Sequence, residues 1–296
     1  MDTMRAEVVR DGLRFGESPR WHDGRLWYSD FYRHGVFSMA PDGSDERLEA
    51  TVEQQPSGLG WLPDGTLLAV SMIDQRVVRV RGGEVTTHCD ISAHCGFWAN
   101  DMTVAPSGVA YVGNFGFDLD NFLRDTRDGV ESEHPPRPAN LVAIGPDGAI
   151  LQVVPEMMFP NGMVLTPDGR TLIVAETTAY RLSAFDVDAG GSLSNRRVFA
   201  ALDGVPADGI CLDAEGEVWV AHPLDRRCVR VAEGGEVTAE VTTSNHTFAC
   251  ALGGADRRTL FVICAPTSSR FDIAAQEKPL GTIEVAQVSV PGAGTP

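Results

Sequence analysis

Residues Leu165–Glu176 read LTPDGRTLIVAE, a Pro167-Asp168-Gly169 turn followed by a run of strand-forming residues. Pro presets the first central dihedral of such a turn, Asp closes it through its side chain, and Gly accepts positive φ. The unit recurs on both sides. It reads WHDGRLWYSD from Trp21, WLPDGTLLAV from Trp61, VAPSGVAYVG from Val104, LDAEGEVWVAH from Leu212 and LGGADRRTLFVI from Leu252. Successive starts lie 40, 43, 61, 47 and 40 residues apart. Four strands of about five residues with tight turns use up a period of roughly 40 to 45 residues, the length of one propeller blade. Six copies predict an all-β fold, a six-bladed β-propeller around a central channel, formed as a single domain over residues 1–296.

Two further turns support the register. Pro41-Asp42-Gly43 and Pro146-Asp147-Gly148 fall between copies, where the outer hairpin of a blade turns. Helix signals are nearly absent. The long spacing contains a polar, Pro-containing insertion, residues 116–140, read as a loop over one mouth of the channel that serves either as a lid or as a surface excursion. An open ring would leave a strand edge unpaired. The segments Arg5–Val9 and Gly281–Val290 are strand-like and lie outside the six units, so they are expected to complete one blade from the two ends of the chain.

Composition narrows the function. Of 296 residues 43% are hydrophobic, enough for a large core, and Asp+Glu 41 against Lys+Arg 24 gives a net charge of −17. A nucleic-acid surface would have to work against that field. No apolar run approaches the roughly 18 residues of a membrane helix, and residues 1–12 lack a signal-peptide core. The expectation is a cytoplasmic protein with a small-molecule partner, no nucleic acid and no membrane. Six Cys then read as reduced thiols, with Cys211, Cys250 and Cys264 in apolar strands. The pairs His88-Cys89 and His94-Cys95 do not have a usual zinc spacing. His222 and His246 stand at strand ends.

Innermost strands of a propeller run roughly along its axis, so residues at their entrances converge from different blades. Four entrances carry oxygen-bearing motifs: Gly16-Glu17-Ser18-Pro19, Ala99-Asn100-Asp101, Phe159-Pro160-Asn161-Gly162 and Ala207-Asp208-Gly209. Glu17, Asn100, Asn161 and Asp208 thus form a set of hard oxygen donors suited to Ca²⁺, Mg²⁺ or Mn²⁺, with Zn²⁺ also possible.

Taken together, GESPRW, the Asn-Asp pair before a repeat, FPNGMVLTPDGRTLIVAET and ADGICLDAEGEVWVA resemble the SMP-30/gluconolactonase/LRE family over essentially the whole chain. The resemblance implies a six-bladed propeller that hydrolyses a lactone or small ester with one divalent metal, calcium foremost. It implies Glu17, Asn161 and Asp208 as ligands, Asn100 in contact with substrate or water, and Asp208 as general base. Trp98, Asn100 and Asp101 are assigned to substrate binding.

One departure bears on substrate. Sugar-lactone members typically carry Arg two residues before the Asn of this motif, and here Trp98 stands there. An indole offers a flat apolar wall instead of a charged bidentate contact, which predicts a substrate with an alkyl or aromatic group. The chain has no Gly-x-Ser-x-Gly elbow, phosphate-binding Gly-x-x-x-x-Gly-Lys loop or His-Glu-x-x-His pair. The alternatives are a non-hydrolytic calcium- or ligand-binding propeller, or one resembling strictosidine synthase.

Overall fold

The computed structural model describes residues 2–294 and shows six sheets arranged as the blades of a propeller, each with four antiparallel strands and one with a parallel fifth. Each of the six repeats is the hairpin between a blade's inner strand and its second strand. In blade 4, for example, Pro160–Leu165 turns through residues 167–169 into Thr171–Glu176, which pairs with Arg181–Val187 and then Leu193–Ala201. The inner strands of blades 1, 2, 3 and 5 are Gly16–His22, Pro56–Trp61, Ala99–Val104 and Ile210–Leu212. That of blade 6 is His246–Gly253.

Sandwiching explains the apolar runs. Second strands such as Leu67–Ser71 are buried at every residue, because both faces pack on neighbouring blades. Outermost strands such as Arg47–Thr51 are mostly exposed. Six apolar clusters fill the six spaces between blades, and a seventh, rich in Phe, lies at one mouth.

Closure uses both ends of the chain, as the sequence suggested, but the N-terminal segment is shared between two blades. Glu7–Leu13 is the outermost strand of blade 6 and pairs antiparallel with Gly281–Gln287. Asp2–Arg5 instead pairs parallel with Val237–Thr242 and gives blade 5 a fifth strand. Arg5 therefore belongs to blade 5 and Val8 and Val9 to blade 6. Past Gln287 the chain crosses below both blades, with Gly292 N–H donating to Arg257 O and Ala293 N–H to Leu212 O.

The insertion at residues 116–140 is partly helical, which corrects its reading as a loop. Helix α1, Leu119–Arg127, is capped by the Asp118 carboxylate, which accepts from Asn121 N–H at 3.2 Å. Its apolar residues Leu119, Phe122 and Leu123 follow helical spacing, a signal hidden by the surrounding charge. A second short helix, α2, Arg270–Ala275, occupies the connection between the second and third strands of blade 6 and was not anticipated. No helix among the described residues is long and apolar enough to cross a membrane.

Two devices position the channel residues. The first is backbone contact at the axis. A Cβ on Gly162 would lie 2.5 Å from Ile210 N of the next blade, and one on Gly209 would lie 2.6 Å from Ala249 Cα. Neither glycine has positive φ, so what each supplies is closeness and not a special dihedral.

The second is a buried acceptor at the end of a second strand that grips the loop leading to its own inner strand. Asp30 accepts from Arg14 N–H at 2.9 Å and Phe15 N–H at 3.2 Å, and Asn114 from Gly96 N–H at 3.2 Å. Glu176 accepts from Met158 N–H at 2.8 Å and pairs with Arg181 and Arg196 at 2.9 and 2.8 Å. Burial pulls the Glu176 carboxyl up, but Arg181, Ser183, Met158 N–H and Arg196 outweigh it and hold the pKa below the ordinary value.

Two outcomes follow for stability. Gly209→Ala drives a Cβ into backbone that has nowhere to retreat and should cost about 1 to 3 kcal/mol, read as a lowered urea midpoint. Glu176→Gln leaves two guanidinium groups without their buried anion and should cost on the order of 3 kcal/mol at pH 7. Because the folded pKa of Glu176 is depressed, its contribution is complete above the unfolded glutamate pKa of about 4.3. It fades as pH falls through the folded value. Urea midpoints of wild type and variant should therefore converge in acid, and a gap that persists unchanged at pH 2.5 would contradict this role.

Candidate metal centre and active site

One mouth of the channel opens into a cavity of about 200 Å³. Its floor is made where the inner strands of blades 1, 3 and 4 begin and where the chain enters that of blade 5. Glu17, Asn100, Asn161 and Asp208 all line it, so the structure brings together the four donors named from sequence. Asn100, Asn161 and Asp208 are buried, and Glu17 is partly open to the cavity.

Hydrogen bonds run across the blades at this level. Asn100 Nδ2 donates to Asn161 Oδ1 at 3.1 Å, and Asn161 Nδ2 donates to Thr177 Oγ1 at 3.3 Å. The Thr177 hydroxyl donates to Ala207 O at 2.7 Å, tying blade 4 to the residue before Asp208. Ser57 Oγ donates to Asn100 Oδ1 at 3.4 Å, and Glu17 Oε2 accepts from Ser18 N–H at 3.2 Å. Thr177 has no distinguishing motif of its own and was missed in the sequence.

The floor is acidic, and its carboxyls resist ionisation. Burial, followed by the charges of Asp208 and Asp101, pushes the Glu17 carboxyl well up, while burial and Asp101 do the same to Asp208. Among the described residues no Lys, Arg or His lines the cavity. Two carboxyl groups on one floor, beside two amide oxygens, fit the donor set of a hard divalent cation. Among the described residues no three His, Cys, Asp or Glu side chains cluster as a metal site, consistent with a set that is half amide. The pairs His88-Cys89 and His94-Cys95 lie apart from the cavity. His88 Nδ1 accepts from Arg79 Nε at 2.8 Å, and Cys89 packs in an inter-blade core.

Asp101 requires a correction, because it does not reach the cavity. Its Oδ1 accepts from Ser18 Oγ at 2.7 Å and Met102 N–H at 2.7 Å, and lies 3.2 Å from the buried Arg20 guanidinium. In an extended strand successive side chains point to opposite sides, so a neighbour of a cavity-facing Asn100 is turned away from substrate. Its influence on the floor is through charge. His222 and His246 also lie outside the lining.

Aromatic and aliphatic side chains make the walls. Phe15, Phe31, Phe115 and Phe159 come from four connections and Phe248 from the inner strand of blade 6, and Trp98 stands among them, stacked on Phe97 at 5.0 Å. The insertion contributes Leu119, Asp120 and Leu123 of α1, so it lies at the mouth that holds the four donors. Helix α2 fastens it there. Arg270 N–H donates to Asp120 Oδ1 at 2.8 Å, Arg127 meets both oxygens of Asp272 at 2.9 and 3.2 Å, and the Arg270 guanidinium lies 5.6 Å from the Trp98 ring centre. Scattered singly along the chain, the Phe residues gave no sequence signal that they would converge.

Known proteins share this fold. The chain is 24% identical to regucalcin of Danio rerio over 308 aligned positions, covering 99% of this chain and 97% of that protein. Its fold matches that of a calcium-binding protein, regucalcin, from Agrobacterium tumefaciens with a TM-score of 0.79 at 21% identity, covering 100% of this chain and 98% of that one. It also matches a gluconolactonase from Xanthomonas campestris, with a TM-score of 0.72 at 20% identity, covering 96% and 88%. The family model described as the SMP-30/Gluconolactonase/LRE-like region matches residues 15–266, and the chain belongs to that family.

Proposed function

We propose that this protein is a divalent-metal-dependent hydrolase of a small lactone or ester that carries an apolar or aromatic substituent. Glu17, Asn161 and Asp208 hold the cation, with Ca²⁺ the first choice given the calcium-binding relative. The observation that carries the reading is the convergence of two carboxylates and two amides from four blades on the floor of an aromatic cavity without a basic side chain.

A divalent cation bound there supplies a Lewis acid that polarises the ester carbonyl and makes water a better nucleophile. The protein's own groups do the rest. Asp208 takes the proton from the attacking water on whichever carboxylate oxygen does not face the cation. Asn100, fixed between Ser57 and Asn161, orients that water or the substrate oxygen. The Phe belt excludes bulk solvent, which strengthens each electrostatic contact on the floor. Trp98 presents its indole to the substituent, and α1 covers it from above.

Three measurements test the reading. Exhaustive chelation should abolish turnover and Ca²⁺ add-back should restore it, whereas full activity at confirmed zero metal content would refute it. Asp208→Asn keeps shape while removing a charge and a proton acceptor. It should lower kcat at least about a hundredfold and weaken calcium binding in calorimetry. Unchanged values of both would make Asp208 a spectator. Wild type should prefer an alkyl- or aryl-substituted lactone over a polyhydroxylated aldonolactone by about 10- to 200-fold in kcat/KM. Trp98→Arg should narrow or reverse that preference. A wild-type preference for the sugar lactone would restrict Trp98 to packing, and calcium binding without turnover on any ester would identify a non-hydrolytic binder.

A further inference from the structure

Four of the six cysteines, Cys211, Cys228, Cys250 and Cys264, gather in the core between blades 5 and 6, and all six are free thiols. One pair differs from the rest. The sulfurs of Cys211 and Cys250 are 3.7 Å apart, about van der Waals contact. They stand on the inner strands Ile210–Leu212 and His246–Gly253, whose backbones already touch. Gly209 N–H donates to Phe248 O at 2.8 Å, and a Cβ on Gly209 would meet Ala249 Cα at 2.6 Å. Closing the sulfurs from 3.7 Å to the roughly 2.05 Å of a disulfide needs less than about 2 Å of movement, within reach of side-chain rotation and small strand shifts.

Access comes from a second cavity. Farther along the inner strands than Asp208, a space of about 30 Å³ is lined by both thiols together with Arg20, Trp21 and Arg257. It can admit a molecule the size of water or hydrogen peroxide. Cys250 is 2% exposed and Cys211 is partly buried, and both face this space. The metal chemistry proposed above uses neither thiol.

We propose that Cys211 and Cys250 are a modification site, a dithiol pair that hydrogen peroxide converts to a reversible inter-blade disulfide. One of the two sulfurs attacks a peroxide oxygen, the O–O bond breaks, and that cysteine becomes a sulfenic acid with release of one water. The other sulfur then attacks the sulfenic sulfur, the S–O bond breaks, and the hydroxyl leaves as a second water with the remaining thiol proton. Two thiols lose two electrons and one peroxide gains them. The nearness of the second sulfur favours bridging over further oxidation of the first.

The test uses the full-length protein with stoichiometric to tenfold hydrogen peroxide, followed by catalase, denaturation, alkylation and mass spectrometry. Wild type should alkylate at four cysteines instead of six and weigh 2 Da less before alkylation. It should yield a Cys211–Cys250 linked peptide, and dithiothreitol should restore six alkylated sites. Cys211→Ser, whose side chain is nearly isosteric, should keep all five remaining thiols under the same treatment. Six alkylated sites in treated wild type would overturn the proposal. So would a bridge at Cys228–Cys250, or a Cys211 sulfinic acid beside an alkylated Cys250. These readouts report on sulfur alone and are independent of whether the channel hydrolyses esters.

Discussion

Backbone contact at the axis is the constraint on which the rest of the molecule depends. Six inner strands must stand close enough that their first residues share one small floor, and at Gly162 and Gly209 the next blade's main chain occupies the place of a side chain. A larger residue would widen the channel there. Asn161 and Asp208 each immediately precede one of these glycines, so the same contact that seals the blade interfaces brings their side chains to the cavity. Packing and chemistry are thus set by one geometric fact.

The floor works against folding. Glu17 and Asp208 are enclosed near each other with Asp101 behind them, and both carboxyls are driven well up by burial and by like charge. Natural proteins retain such arrangements where function needs them, and the surrounding structure must hold them in place. Here the holding is done by the relay through Asn100, Asn161, Thr177 and Ala207, by Arg20 against Asp101, and by the buried acceptors Asp30, Asn114 and Glu176. A cation bound there would relieve the repulsion directly and so would couple metal binding to stability.

Much of this was legible in the sequence because a propeller repeats its grammar. The Pro-Asp-Gly turns fixed blade count and register, and equivalent positions before each turn pointed to Glu17, Asn100, Asn161 and Asp208. What stayed hidden depends on relations between blades. Asp101 sits next to a cavity residue but alternation along the strand turns it toward Arg20, a distinction that needs the local bulge and register to resolve. Helix α1 was masked by its charged surface, and α2 by its brevity. The Phe walls come from isolated residues on four separate connections and one inner strand, and no local pattern records such a meeting.

The N-terminal segment stitched into blades 5 and 6 has a consequence for biosynthesis. Glu7–Leu13 leaves the ribosome long before its partner Gly281–Gln287. Blades 1 to 4 can assemble as they emerge, but the ring cannot close until Gly281–Gln287 has been made. Until then the earlier strand has an unpaired edge, and pairing across so large a sequence separation makes the closing step slow. A nascent chain of this design gains from a chaperone that shields that edge, and a truncated translation product is left as an open crescent, a natural target for proteolysis.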